Sequence, residues 1–291
     1  MSRIGDNLLF YLVLKPLSFL PLGILFFFSD IIFVLTYYIV KYRRNVVKQN
    51  LKNAFPEKPE KELKEIERKF YHHFTDFIFE SIKSISISEK NVNNRTALKN
   101  QDLLDKYYKQ GKNVLVVCGH YNNWEFYALS LPKSLKHTTY SLYQPLKNKF
   151  FDKMLLNSRS RNGMKLIQTN DVLSFFREDN TNPKLMVIVN DQSPTNKDKA
   201  YWNTFLNQNT GWNVGPEKLA KKFDYVVLFG HSKKVKRGSY EVEFSLITET
   251  PKTTVDEFIT DKYSSILEEV IQKKPEFWLW SHKRWKHKQK K

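Results

Sequence analysis

Five apolar residues in a row, Val114–Cys118, stop at Gly119, and this run limits what the chain can fold into. It is short, rich in β-branched side chains and cut off by a glycine, so it reads as a buried strand. After Asn122 the sequence turns helical, with Trp124, Ala128 and Leu131 near one face. A helix turns about 100° per residue, so His120 and Glu125, five apart, would diverge by about 140° inside one helix. They converge if His120 sits in the turn and Glu125 in the first helical turn. Asn122 is then the N-cap and Glu125 the third helical residue, a capping-box spacing. This places an imidazole at a strand's C-terminal end beside a carboxylate that can orient it. That is the general-base arrangement for deprotonating a hydroxyl. The same two residues also suit a plain turn and a plain helix cap, so the pair alone is a weak signal.

The rest of the chain repeats the pattern. Further strands are expected at Thr138–Tyr143, Lys184–Val189, 225–229 and 240–247, separated by helices that include 149–160, Val172–Arg177 and 255–272. Alternation of this kind implies an α/β fold with a mainly parallel central sheet flanked by helices. Ligands of such sheets sit beyond the carboxyl ends of the strands. His120, Asp191 and His231 are expected at such ends, and Gln144 lies just past another. Leu63, Ile66, Phe70, Phe74, Phe77 and Ile78 step at helical spacing and read as a core-facing stripe.

The first 40 residues differ from this. Residues 17–40 carry a single charge, Asp30, and as one helix would be about 36 Å long against a hydrocarbon core of about 30 Å. An acidic residue near the centre costs about 2.5–3.5 kcal/mol on insertion scales, which the Leu, Ile and Phe content outweighs. Pro16 and Pro21 allow a bent or re-entrant shape. Lys41, Arg43, Arg44 and Lys48 follow at once and hold the downstream chain on the cytoplasmic side by the positive-inside rule. The expected division is a hydrophobic membrane anchor over 1–44 and a catalytic domain over 45–291.

Lys and Arg number 48 against 30 Asp and Glu, a net charge of +18. That excess favours nucleic acid, an anionic membrane surface or a phosphorylated substrate. The tail HKRWKHKQKK suits the first, and the neighbouring Phe277, Trp278 and Trp280 suit lipid headgroups equally. No nucleic-acid motif is present. The one cysteine, Cys118, lies in the apolar strand and reads as a small core residue. His72 and His73 are adjacent, without partners at metal-ligand spacing, so no metal is expected.

Four phrases in order are similar to one family: GHYNNWE, YQPLKN with Arg159 and Arg161, DQSP, and PEFWLWSHKRWK. They resemble the lipid A late acyltransferases, the lauroyl/myristoyl branch of the lysophospholipid acyltransferase-like proteins. NLKNAFPE resembles the segment that follows that family's membrane anchor. The resemblance implies a glycerolipid acyltransferase-like fold and an O-acyltransferase of the bacterial inner membrane, with its catalytic domain on the cytoplasmic side. It implies an acyl carrier protein or acyl-CoA as donor, an anionic lipid A precursor as acceptor, no cofactor or metal, and no nucleic acid. His120 and Glu125 take the catalytic positions, with Asn123, Arg159, Arg161 and Asp191 as substrate-binding positions. Arg159 is the candidate for stabilising the oxyanion. Two places depart from the family: Gln144 stands where an Arg is usual, and TFLNQNTG stands where an aromatic–Gly phrase is common. The first bears on a contact to a phosphate or acyl carrier, and the second, around Asn207, on acceptor and chain-length preference, so a lyso-aminolipid, a lysophospholipid or another glycolipid is the alternative.

Overall fold

The computed structural model describes residues 2–178 and 182–289. Helices α1 (Ser2–Leu8), α2 (Lys15–Phe19) and α3 (Leu22–Val34) come first, with π-helical stretches at Leu9–Leu14 and Leu35–Val40. Helices α4 (Arg44–Ala54), α5 (Glu60–Lys83) and α6 (Glu89–Asn93) follow. The α/β body then runs β1 (Thr96–Leu98), α7 (Gln101–Lys109), β2 (Val114–Cys118), α8 (Trp124–Ser134), β3 (Thr138–Tyr143) and α9 (Lys149–Ser160). It continues with β4 (Lys165–Gln168), α10 (Val172–Arg177), β5 (Lys184–Val189), the hairpin β6 (Tyr201–Phe205) and β7 (Gln208–Trp212), and α11 (Gly215–Phe223). Strands β8 (Val226–Lys236) and β9 (Ser239–Thr248) and helix α12 (Phe258–Lys273) complete it.

Seven strands form one sheet in the order β1-β9-β8-β2-β5-β3-β4. The pairs from β8 to β4 are all parallel, and β9 runs antiparallel to β8. This is the mainly parallel sheet that the alternating pattern implies. Strand β2 sits at its middle. Val114, Val116 and Cys118 pack with Tyr127 and Leu131 of α8 on one face. Leu115 and Val117 pack on the other with Tyr71, Trp212 and Trp280. Successive side chains of a strand point to opposite faces, so a strand covered on both reads as an unbroken apolar run.

Three expectations need correction. Strand β8 does not stop near residue 229. It continues to Lys236 because β9 offers an antiparallel partner, which puts His231 in mid-strand opposite Glu243 rather than at a sheet end. Trp278 and Trp280 do not face headgroups, because both are fully inside the core. Trp280→Ala would cost about 3–5 kcal/mol on the scale of large core truncations. Finally, β1, β4, the β6–β7 hairpin and α11 are additional elements. Their sequences are short or polar and carry little periodic signal.

Candidate active site

The site follows from one register. In the parallel pair β2–β5, Cys118 stands opposite Val189. Two residues further along each strand come His120 and Asp191, so the sheet itself brings them together. Gly119 keeps the space between them tight: a Cβ there would lie 2.8 Å from Leu267 Cδ1 and 3.2 Å from Asp191 Oδ2, so either side chain would have to shift.

His120 Nδ1 lies 2.5 Å from Asp191 Oδ1, and the His120 backbone N–H donates to Asp191 Oδ2 at 2.8 Å. The Trp278 indole N–H donates to the same Oδ2 at 2.7 Å. Asp191 is 2 % exposed. Burial by itself would push its carboxyl up. The charge of the His120 ring and the hydrogen bonds from His120 and Trp278 outweigh burial and hold the group below the usual carboxylate range. A carboxylate only accepts, so when the ring is neutral the His120 proton sits on Nδ1 and the lone pair on Nε2. Nε2 faces the Gln192 amide nitrogen at 3.3 Å. The ring also meets the edge of Trp124, with centroids 5.0 Å apart.

Glu125 faces elsewhere. Helix α8 is capped by Asn123, whose Oδ1 accepts from the Phe126 backbone N–H at 2.9 Å. Asn122 lies one residue earlier, at φ 56°, and donates its amide to the Ser232 carbonyl. The cap thus falls one residue later than the sequence spacing predicts, and Glu125 becomes the second helical residue. Its carboxylate is gripped by Arg159 from the last turn of α9, Nε to Oε2 at 2.8 Å and an outer nitrogen to Oε1 at 2.5 Å. Burial opposes the Arg159 charge, but the Glu125 carboxylate outweighs it and raises the guanidinium pKa. Bidentate pairs of this kind fix geometry as well as charge.

The remaining expected positions are placed as follows. Asn123 is buried, and its Nδ2 donates to Glu80 Oε2 at 2.7 Å. The Tyr240 hydroxyl donates to that oxygen too, at 2.6 Å, while Glu80 Oε1 is buried with no partner among the described residues. Burial pushes the Glu80 carboxyl up to about 7, against those hydrogen bonds. Arg161 is used structurally, binding the carbonyls of Ile85 and Ile87. It does not line the cavity beside His120, which measures about 730 Å³. Arg159, Gln144 and Gln192 give that cavity polar groups, and Leu131, Met164 and Val187 are among its apolar walls.

The C-terminal phrase supplies parts that residue-by-residue reading left unassigned. Besides Trp278, His282 Nε2 accepts the Ser193 backbone N–H at 3.2 Å, and burial lowers its pKa to about 4. Ser193 Oγ donates to the carbonyls of Lys283 and Arg284. Arg284 is buried over the Trp212 ring, and burial lowers its pKa to about 10. The phrase is visible in the sequence, so it was the available signal for these contacts to the Asp191 turn.

A search of curated proteins returned no match to this chain. A protein-family model does match it, over residues 2–287, and its description is bacterial lipid A biosynthesis acyltransferase. With nearly the whole length covered, the chain belongs to the bacterial lipid A biosynthesis acyltransferase family and is an acyltransferase.

Proposed function

We propose that the protein moves a fatty acyl chain from a carrier thioester to a hydroxyl of a lipid A precursor at the membrane, with His120 as general base and Asp191 as the group that orients it. The observation that carries this reading is the 2.5 Å contact from His120 Nδ1 to buried Asp191, which leaves Nε2 facing the cavity. The acceptor hydroxyl gives its proton to Nε2 as its oxygen bonds to the thioester carbon. The resulting tetrahedral oxyanion needs fixed donors or positive charge. Arg159 and the Gln192 amide both border the cavity and are the side chains suited to it. On collapse the carbon–sulfur bond breaks, and the imidazolium returns the proton to the departing thiolate. Asp191 balances the transient imidazolium charge without itself taking the proton, as the acid does in a Ser-His-Asp triad.

Glu125, the sequence-based partner for His120, has a different task in this reading. It locks Arg159 at the cavity rim, so removing Glu125 acts on the reaction through Arg159. The apolar walls around Leu131, Met164 and Val187 suit the acyl chain. The donor is an acyl carrier protein or acyl-CoA, both acidic and matched to the basic surface.

Gln144 supports a second acceptor. It lines the cavity with an amide where the resembling family more often has an arginine, so a lysolipid with less phosphate to neutralise also fits. The test is mass spectrometry of products from purified protein given an acyl thioester and either lipid A precursor or lysolipid. A new ester on the precursor, absent with His120→Ala, supports the first reading. Acylation of the lysolipid alone supports the second, and no product from either refutes both.

A further inference from the structure

Among the described residues, one helical stretch is long and apolar enough to cross a membrane, Leu22–Val40. Its packing argues against crossing. The stripe Leu22, Leu25, Ser29, Phe33 and Tyr37 is buried. It runs antiparallel along α5, with Leu25 packing in one cluster with Phe79, Ser29 donating to Asp76 and Tyr37 on Tyr71. Asp30 is likewise part of the body. Arg237, in the turn between β8 and β9, binds it with both outer nitrogens, at 2.6 and 3.1 Å. The same guanidinium binds Asp76, which is fully buried, and His72 reaches Asp30 at 2.9 Å.

The earlier residues continue this docking. Lys83 donates to the carbonyls of Ser18 and Leu20, where the helix breaks before Pro21. Further out, Asn148 at the cap of α9 donates to Asp6, and Phe10 meets Phe150 edge-on. If Leu22–Val40 spanned the bilayer, α5 and the β8–β9 turn would have to enter the hydrocarbon with Asp76, Glu80 and Arg237. Ionisable groups are strongly disfavoured there.

We infer that the apolar N-terminal segment does not cross the bilayer but lies along one leaflet as a docked membrane-binding face, leaving the N-terminus on the same side as the catalytic domain. Of the 24 large apolar side chains exposed among the described residues, 16 fall within residues 4–40. They include Leu12, Phe19, Phe27, Phe28 and Ile39, which stay exposed on that face and suit an acyl-chain boundary. Lys41, Arg43 and Lys48 follow directly, are exposed, and suit anionic headgroups of the same leaflet, while Arg44 is held inside by Glu67 and Tyr37. Because the segment also touches α9, which carries Arg159 and Leu155 of the cavity, a lipid acceptor reaches His120 sideways from that leaflet.

The inference rests on the membrane association proposed above, and one experiment separates the two. A short polar tag with a single cysteine is added before Met1 or after Lys291, each in a Cys118→Ser background. Bacteria expressing each protein are converted to spheroplasts and, separately, to inside-out vesicles, and both are treated with a membrane-impermeant maleimide. The expected result is membrane-bound protein whose two tags are labelled from the same side. Membrane-bound protein with tags labelled from opposite sides overturns the topology alone. Recovery wholly in the soluble fraction overturns the membrane association and the topology with it.

Discussion

Trp278 donates its indole N–H to Asp191 Oδ2 across 87 residues of chain, at 2.7 Å. A donor from the C-terminal segment thus fixes the carboxylate that holds the His120 ring. The segment is pinned in turn where the Asn122 N–H bonds the Phe277 carbonyl at 3.0 Å. The C-terminal phrase is therefore folded against the candidate site, and in the proposed mechanism it positions the partner of His120.

Trp278→Phe keeps the ring packing and removes the N–H. Losing one hydrogen bond to a buried charge costs about 1.5–3 kcal/mol. Turnover should fall about tenfold or more, with a lowered melting temperature, while substrate KM changes little. Steady-state kinetics beside thermal unfolding check this, and unchanged turnover would remove Trp278 from the mechanism.

Arg159→Lys keeps the charge but cannot reproduce the two-pronged grip on Glu125. Turnover should fall at least tenfold, about 1.4 kcal/mol in transition-state stabilisation. Arg161→Ala should lower stability more than turnover, because its guanidinium serves the Ile85 and Ile87 carbonyls. The reverse pattern in kinetics and unfolding would assign the cavity role to Arg161.

Glu80 gives a pH dependence of known sign. Its folded pKa, about 7, is raised above the ordinary carboxylate value of 4.5, so the folded state binds the proton more tightly than the unfolded one. Its contribution is fully present below pH 4.5 and is lost as pH rises through 7. Glu80→Gln does not titrate, so its melting temperature should gain on that of the parent from pH 5 to pH 8. Differences between the two proteins cancel the opposite trend from His282, which loses stability on acidification from 6.5 towards 4. A constant difference across that range would contradict the assignment.

Much of this arrangement was legible in the sequence, and the rest was hidden for identifiable reasons. The runs Val114–Cys118 and Lys184–Val189 are apolar because both faces are covered, and their ends place His120 and Asp191 correctly. That those two strands are neighbours is a fact of sheet order, which no local pattern records. Glu125 was harder. Moving the cap from Asn122 to Asn123 changes its position in the first turn, and its partner Arg159 is 34 residues away. Asp30 read as a lone charge in an apolar helix because Arg237 lies 207 residues further on.

Met164→Trp tests the acyl-chain wall. Met164 is buried and lines the cavity, so a larger ring shortens the space available. Overpacking costs about 1–3 kcal/mol of stability, and the preference among donors should move to shorter chains. Competition between acyl donors of different length, read by mass spectrometry, checks it. An unchanged preference would place the chain elsewhere.

The most direct measurement is kcat/KM for Asp191→Asn beside Glu125→Gln. An asparagine amide at this position donates to Nδ1 and forces the proton onto Nε2, the tautomer that cannot act as base. In a Ser-His-Asp triad the same change lowers kcat by about 10⁴, and a loss of that order is expected for Asp191→Asn, with folding and membrane binding retained. Turnover for Asp191→Asn within about threefold of the parent, with Glu125→Gln inactive, would contradict the account and return Glu125 to the role of His120's partner.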